Sequence, residues 1–508
     1  MKASSYRSKE GLQNLLYSLV TAAAVTAFLW VTRCNDVTLV ETIAGFFLFL
    51  IPWHSYRQWR RLHEDELPFF AIIAFMYWLY YGLQVFCGDL AVDIANSRYG
   101  HQVDPSSIGD ALLMALLGVS CLWLGTKSGL ARLVTPRKIP QITINPRRWN
   151  YVRGLLIFST LVSALEPSNY LFGAGGRQAF ETFLSTIPVM SFVLLFRRYL
   201  RKEAVLIDKL LIVGFLVTRS ITGISSGWLG SFAMLIVVCG ASYAVESRRI
   251  PRFALVAAVA CILFFQVGKN DFRVAYWNQE SQAGQGERVA FWVNSSLERW
   301  DDALKDPSGE SLRRVLGSTL SRLSLVTQTG DVLEKTPSVV PYQYGRLYSY
   351  LLYTWIPRAI WPEKPTMSEA NQFYQVAYGV TAEEDLDKVS IAVGVLTEGF
   401  MNFGWFGVVL IMFLLGAFLD LYRRLFFGKS AGVILGALGM VLLPHMLAIE
   451  SQMAQYLGGI VQQVLFTLFV FLPVIQYSRP ARQGAPLPVG LGYREYSPIR
   501  INLLHGKN

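Results

Sequence analysis

The sequence predicts an all-α polytopic integral membrane protein, and three observations carry that expectation. Of 508 residues, 53% are hydrophobic and 14% aromatic, while only 16% are charged. A soluble chain is less apolar and more charged than this. Apolar runs of about 17 to 22 residues, the length that crosses roughly 30 Å of hydrocarbon as a helix, recur about twelve times. Lysine and arginine concentrate in alternate loops, the pattern that fixes orientation by retaining basic residues in the cytoplasm.

The expected spans fall at 14–31, 37–55, 67–86, 108–126, 154–172, 181–196, 206–221, 227–245, 251–268, 403–421, 430–448 and 457–477. The seventh is short and carries Arg219. Basic residues precede the first span (Lys2, Arg7, Lys9) and follow the second (Arg57, Arg60, Arg61). Seven more lie between Lys127 and Arg153 after the fourth, with others after the sixth (Arg197, Arg198, Arg201, Lys202), eighth (Arg248, Arg249, Arg252) and tenth (Arg423, Arg424, Lys429). The intervening loops hold essentially Arg33, Arg98, Arg177 and Arg219. Both termini are therefore expected in the cytoplasm. The organisation read from this is a nine-helix bundle over 1–268, a large structured outer loop over 269–402, a three-helix unit over 403–477 and a cytoplasmic tail over 478–508.

The formal charge of +11 is thus a record of topology, with short clusters at membrane edges, and argues against a nucleic-acid partner. The outer stretch, 269–400, carries 13 Lys and Arg against 17 Asp and Glu. Cys34, Cys87, Cys121, Cys239 and Cys261 lie in or beside spans, at spacings that make neither a disulfide framework nor a zinc site. Cys34 and Cys87 both fall near outer membrane edges, where pairing and buried thiols are both open readings. The first apolar run is longer than a secretory signal core and reads as a retained anchor. No repeat of 20 to 50 residues is visible, so an inverted-repeat transporter plan has no support.

Within the outer stretch, apolar and aromatic residues recur at helical spacing over 289–304 and 312–333. The segment 345–361 reads as an aromatic-rich amphipathic helix at the membrane interface. It ends in the run IPRAIWPEKP, whose Pro357, Pro362 and Pro365 cannot continue a regular helix and fix φ at several points. Charge at a membrane face is costly unless used. Arg346, Arg358 and Lys364 stand here beside Tyr344, Tyr348, Tyr353, Trp355 and Trp361. Guanidinium groups grip diphosphates in a bidentate manner, and aromatic faces stack on sugars or headgroups. Interfacial anchoring is the competing explanation.

A second group lies in VSIAVGVLTEGFMNFGWFG, ending at Gly407, where Glu398 and Asn402 sit one helical turn apart at the entry to the tenth span. Partial desolvation there would suit Glu398 to accept a proton from a sugar hydroxyl; service to helix N-terminal amides explains it as well. Lys269, Asn270, Asp271 and Arg273 follow the ninth span. Arg219 opens TRSITGISSGWLG, whose glycines suit either an anion approached by backbone amides or close helix packing. His445 and Glu450 are candidates near the outer end of the eleventh span, and Glu166 and Arg177 flank a glycine-rich turn. No metal-ligand spacing occurs, so a transfer reaction would rely on side-chain cations.

The run YGRLYSYLLYTWIPRAIWPEKP at 344–365, the following S-x-A and the E-G-F-x-N-F-G-x-x-G motif, in a chain of this hydropathy plan, resemble Wzy-type oligosaccharide repeat-unit polymerases, the O-antigen and exopolysaccharide polymerase family. The resemblance covers about 140 residues by motif, 269–407, and rests on hydropathy elsewhere. TGISSGW resembles a Thr-Gly-Ser-Arg-Gly type segment of relatives, without the arginine. The Asp-rich first outer loop of many metal-dependent GT-C transferases is missing.

The resemblance implies a GT-C-like membrane glycosyltransferase that needs neither metal nor cofactor. It would sit in a bacterial inner membrane and transfer a glycan from undecaprenyl diphosphate onto the next undecaprenyl-diphosphate-linked oligosaccharide. It also implies a chain-length regulator and a flippase of the same pathway as partners, besides membrane lipid. Carried onto this chain, Arg358 with Arg346 and Lys364 would neutralise the leaving diphosphate. Glu398 would be the acceptor base, with Arg273 and Asn402 orienting glycan or phosphate and Arg219 offering a further diphosphate contact. An O-antigen ligase-type transferase, a lipid-oligosaccharide transporter and an envelope scaffold are the alternatives.

Overall fold

The computed structural model describes residues 2–33, 37–62, 66–86, 104–135, 141–164, 174–277, 283–320, 323–354, 356, 360–361, 363–365, 368–386, 391–428 and 431–478. Arg358, Glu166, Cys34, Cys87 and the 479–508 tail lie outside these residues.

The chain is a helical membrane protein. Its helices are α1 (Lys2–Val31), α2 (Leu39–Leu62), α3 (Phe69–Tyr77) running through a π turn at Trp78–Gly82 into α4 (Leu83–Phe86), α5 (Pro105–Lys127), α6 (Leu130–Val134), α7 (Trp149–Ala164), α8 (Ala174–Leu200), α9 (Leu206–Ser225) and α10 (Leu229–Ser247). There follow α11 (Arg252–Val267), α12 (Lys269–Tyr276), α13 (Gln285–Lys305), α14 (Glu310–Leu320), α15 (Val326–Lys335), α16 (Glu369–Ala377), α17 (Gly394–Phe427), α18 (Val433–Leu447), α19 (Met453–Leu457) and α20 (Ile460–Phe471). Six helical stretches among the described residues are long and apolar enough to cross a membrane, and a seventh counts if the α11–α12 pair, bent by 51°, is one span. The remaining expected spans coincide with helices α7 to α10 and α18.

Two parallel helices, α5 and α17, form the centre. Glycines let their backbones touch: a Cβ on Gly125 would collide with the Phe413 carbonyl, and one on Gly416 with the Leu122 carbonyl. Small residues at such contacts replace the hydrophobic driving force that lipid does not supply. Around them runs one continuous apolar core, including Tyr77, Leu112, Val119, Met412 and Leu438. A separate cluster of Leu229, Phe265, Phe272 and Trp292 joins α10 to α13, with the Trp292 indole donating to the Phe265 carbonyl at 2.8 Å.

The sole sheet among the described residues is a two-stranded ribbon, β1 (Gln141–Ile144) antiparallel to β2 (Ile475–Ser478), with Gln141 opposite Ser478. At this end of the molecule many of the basic clusters form ion pairs between helices. Arg153 and Arg198 share Asp208, at 2.7 and 3.1 Å. Arg197 and Arg201 share Glu246, at 2.6 and 2.8 Å.

The stretch 269–402, expected on the outer side, forms helices over 289–304 and, as two helices ending at Leu320 and starting at Val326, over most of 312–333. The expected helix over 345–361 does not form over its described residues. Tyr344 and Gly345 both have positive φ (47° and 90°), a 3-10 turn covers Arg346–Leu352, and turns follow. The buried Lys364 ammonium explains the irregular path, since it collects the Thr354 and Ile356 carbonyls, each at 3.0 Å, and so takes up acceptors that a helix would have used.

Candidate functional site

The site is built on a break in α17. The motif glycines permit it: Gly404 adopts φ 62°, ψ −150° after Phe403 at φ −141°, ψ 17°, a region open essentially to glycine alone. Beyond the break the chain bends so closely that a Cβ on Gly407 would strike the Gly399 carbonyl. A helix end leaves carbonyls without partners. Here the Met401 and Asn402 carbonyls accept the Gln343 and Tyr344 amides, both at 3.0 Å, and the Asn402 side-chain oxygen accepts the Gly345 amide at 3.0 Å. The aromatic loop is thereby fastened to the broken helix.

Glu398, one turn before the break, has no exposed surface. One carboxylate oxygen, Oε2, accepts the Met453 amide at the start of α19 at 2.6 Å. The other, Oε1, is buried with no hydrogen-bond partner among the described residues. The Asn402 amide nitrogen, at one-turn spacing, donates to the Glu398 backbone carbonyl at 2.9 Å, so the two side chains serve different elements. Tyr348, on the 3-10 turn, lies near both. Burial pushes its hydroxyl well above the ordinary phenol range, the Glu398 charge adds to the rise, and the Asn402 side chain opposes it.

Around this pair lies a polar interior that no single stretch of sequence announces. The hydroxyls of Tyr81, Thr329 and Thr397 form a chain with steps of 3.1 and 2.8 Å, crossing from the π turn through α15 to α17. Gln452, fully buried, accepts the Asn371 amide of α16 at 2.9 Å. Asp331 receives the Lys335 ammonium at 2.7 Å and the Tyr374 hydroxyl at 3.3 Å. The Tyr378 hydroxyl, 2.5 Å from the Thr336 hydroxyl, is pushed up to about 12 by burial. The side-chain oxygens of Gln328, Asn371 and Gln375 are buried without hydrogen-bond partners among the described residues. Thr329, Thr397, Asn371 and Gln452 were missed by sequence reasoning; Thr397 alone stands at the end of an apolar stretch, IAVGVLT, and the other three lie in polar surroundings that gave no signal.

The structure also joins two residues that the sequence offered separately. Arg219 of α9 and His445 of α18 line one cavity of about 290 Å³, together with Thr186 of α8 and Gln463 of α20. Its walls are apolar, from residues such as Val189, Phe215 and Met234. The preceding residue, Gln462, donates to the Thr354 carbonyl at 2.9 Å, so the start of α20 touches the aromatic loop through one residue and the cavity through the next.

The other candidates are dispersed. Arg346 is exposed at the head of the 3-10 turn, 5.4 Å from the Phe373 ring. Lys364 is buried 4.8 Å over the Tyr350 ring. Arg273 lies on α12, stacked 4.1 Å over Trp277, in the part of the molecule organised by the second apolar cluster. Its neighbour Asp271 makes a two-point pair with Arg299, both contacts at 2.9 Å. The glycine-rich SSGW turn packs here too: Trp277 donates to the Ser226 carbonyl at 3.2 Å, and a Cβ on Gly227 would press on Phe272.

Residues 132–439 match the family described as "Domain of unknown function (DUF8712)". No curated protein and no solved structure matches the chain.

Proposed function

Taking as premise that the chain belongs to the family described as "Domain of unknown function (DUF8712)", whose description names no activity, we propose from the site itself that it is a membrane glycosyltransferase. It polymerises oligosaccharide repeat units carried on undecaprenyl diphosphate, with a ligase that uses another acceptor as the nearest variant. The observation that carries this reading is the Glu398 carboxylate, sealed at a helix break with Oε1 lacking a partner among the described residues. Leaving a buried acceptor unmet costs about 1–3 kcal/mol, and a proton-bearing substrate hydroxyl is the partner that chemistry would place there.

In the proposed reaction the acceptor-sugar hydroxyl attacks the anomeric carbon of the donor glycan. The bond from that carbon to the diphosphate oxygen breaks, and its electron pair leaves with the diphosphate. The hydroxyl proton passes to Glu398. The segment 343–345, held to the break by three amide bonds, must lift for the acceptor to reach Oε1. Arg346 and Arg358 of the same loop would meet the departing diphosphate, while Lys364 shapes the loop by gathering its carbonyls. Arg219, in its apolar cavity, suits the lipid-proximal phosphate. The expected setting is a bacterial inner membrane with the site on the outer side.

A second reading, movement of a lipid-linked glycan, draws on the same cavity, because ionisable groups within a bundle often mark a transport path. One experiment separates the two. Purified protein in liposomes receives labelled undecaprenyl-diphosphate oligosaccharide, and both glycan length and released undecaprenyl diphosphate are followed. Products of more than one repeat with stoichiometric release support transfer; movement across the bilayer without chain growth supports transport and removes the transferase reading.

A further inference from the structure

We propose that the end of the α5–α17 pair remote from Glu398 binds the phosphate of an anionic membrane phospholipid. The two places are distinct: from Gly404 to Asp420 the helix runs 16 residues, about 24 Å at 1.5 Å per residue. At the far end a cavity of about 300 Å³ is lined by Lys127, Arg132, Arg423 and Arg424 with Asp420, four cations against one carboxylate.

Asp420 is buried and already committed, with Arg423 at 2.6 Å and Arg424 at 2.8 Å. Its carboxylate therefore fixes two guanidinium groups in place and leaves the positive charge of the cavity in excess. Lys127 and Arg132 are exposed and make no ion pair among the described residues. Elsewhere at this end arginines are taken up in pairs, as at Asp208 and Glu246. Arg197 there also reaches towards the Val433 carbonyl, just beyond the end of α17, at 3.5 Å. The cavity under Lys127 and Arg132 thus differs from its surroundings in holding two cations that no carboxylate pairs with among the described residues.

A second observation identifies the anion as a lipid's. A smaller cavity of about 140 Å³ shares Thr126, Lys127, Asp420 and Arg423 with the first and is walled by Trp59, Phe69 and Trp123. Beside it, α6 points Arg132 into the basic cavity while Leu133 and Val134 are 83% and 70% exposed. A short helix with bare apolar side chains beside a basic rim suits the boundary between headgroups and hydrocarbon. Arginine and lysine there contact a phosphodiester, and the acyl chains lie along Trp123 and Leu133.

The test uses the full-length protein in neutral detergent, with phosphatidylglycerol, phosphatidylcholine or inorganic phosphate added, read by native mass spectrometry and by thermal melting. Phosphatidylglycerol is expected to bind at least tenfold more tightly than phosphatidylcholine and to raise Tm. The double variant Lys127→Ala/Arg132→Ala, at two exposed positions, is expected to keep the lipid-free Tm and to lose about tenfold or more in phosphatidylglycerol affinity. Retained affinity in that variant overturns the site, as does equal binding of the two lipids. A rise in Tm from inorganic phosphate as large as that from phosphatidylglycerol would overturn the assignment to lipid in favour of a soluble phosphate.

Discussion

Two buried carboxylates stand on one helix and are treated in opposite ways. Asp420, at one end of α17, is held by two arginines. Glu398, at the other, is fully buried, and among the described residues it receives a single backbone amide and keeps an oxygen without a partner. A buried carboxylate that serves stability has its acceptor positions filled, because an uncompensated buried charge is destabilising. One left incompletely met marks a place where the protein sacrifices stability, and such places concentrate at functional sites. The helix itself repeats the contrast. Near Asp420 its one glycine, Gly416, serves close packing against α5, whereas near Glu398 Gly404 and Gly407 serve a break.

The contrast breaks most visibly if Glu398 can be made neutral without loss. Glu398→Gln keeps an oxygen for the Met453 amide, so the fold is expected to persist while glycan transfer falls by about 10²- to 10⁴-fold, the usual worth of a general base; transfer kinetics on purified protein check this. Asp420→Asn is expected to do the reverse. It strips two arginines of their counter-charge and should lower stability by about 2 kcal/mol, discounted because both arginines reach solvent, with activity per folded molecule unchanged. Thermal melting in detergent alongside the transfer assay reads both quantities.

Smaller effects sharpen the picture. Gly404→Ala forces a side chain into a backbone region reserved for glycine and against the Tyr342 hydroxyl, 3.0 Å from an added Cβ. About 1–3 kcal/mol of destabilisation is expected, measurable as a drop in Tm. Asn402→Ala removes the acceptor for the Gly345 amide and the donor to the Glu398 carbonyl. It is expected to cost about 1 kcal/mol per lost bond and to speed amide hydrogen exchange over 343–345 before any other segment.

How far the sequence spoke for itself differs between the same regions. Helix positions were legible because apolar runs of membrane length have one structural solution. Glu398 and Asn402 were legible as a pair at one-turn spacing, but not their division of labour. That depends on Met453 and Gly345, 55 and 57 residues away. The Tyr81–Thr329–Thr397 chain spans 248 and 68 residues, and periodicity carries no information about such meetings. The misread helix over 345–361 has a local cause: aromatic periodicity was present, but the left-handed start at Tyr344 and the carbonyls gathered by Lys364 outweighed it. Arg219 and His445 each looked isolated in an apolar run, and only the assembly of α8, α9, α10 and α18 around one cavity brings them together.

The central claim, that chemistry belongs to the Glu398 end of α17 and architecture to the Asp420 end, is tested most directly on the surface-glycan ladder. A deletion strain is complemented with wild type, Glu398→Gln or Asp420→Asn at matched membrane levels. The account predicts single repeat units from Glu398→Gln and a full ladder from Asp420→Asn. A full ladder from Glu398→Gln would contradict it.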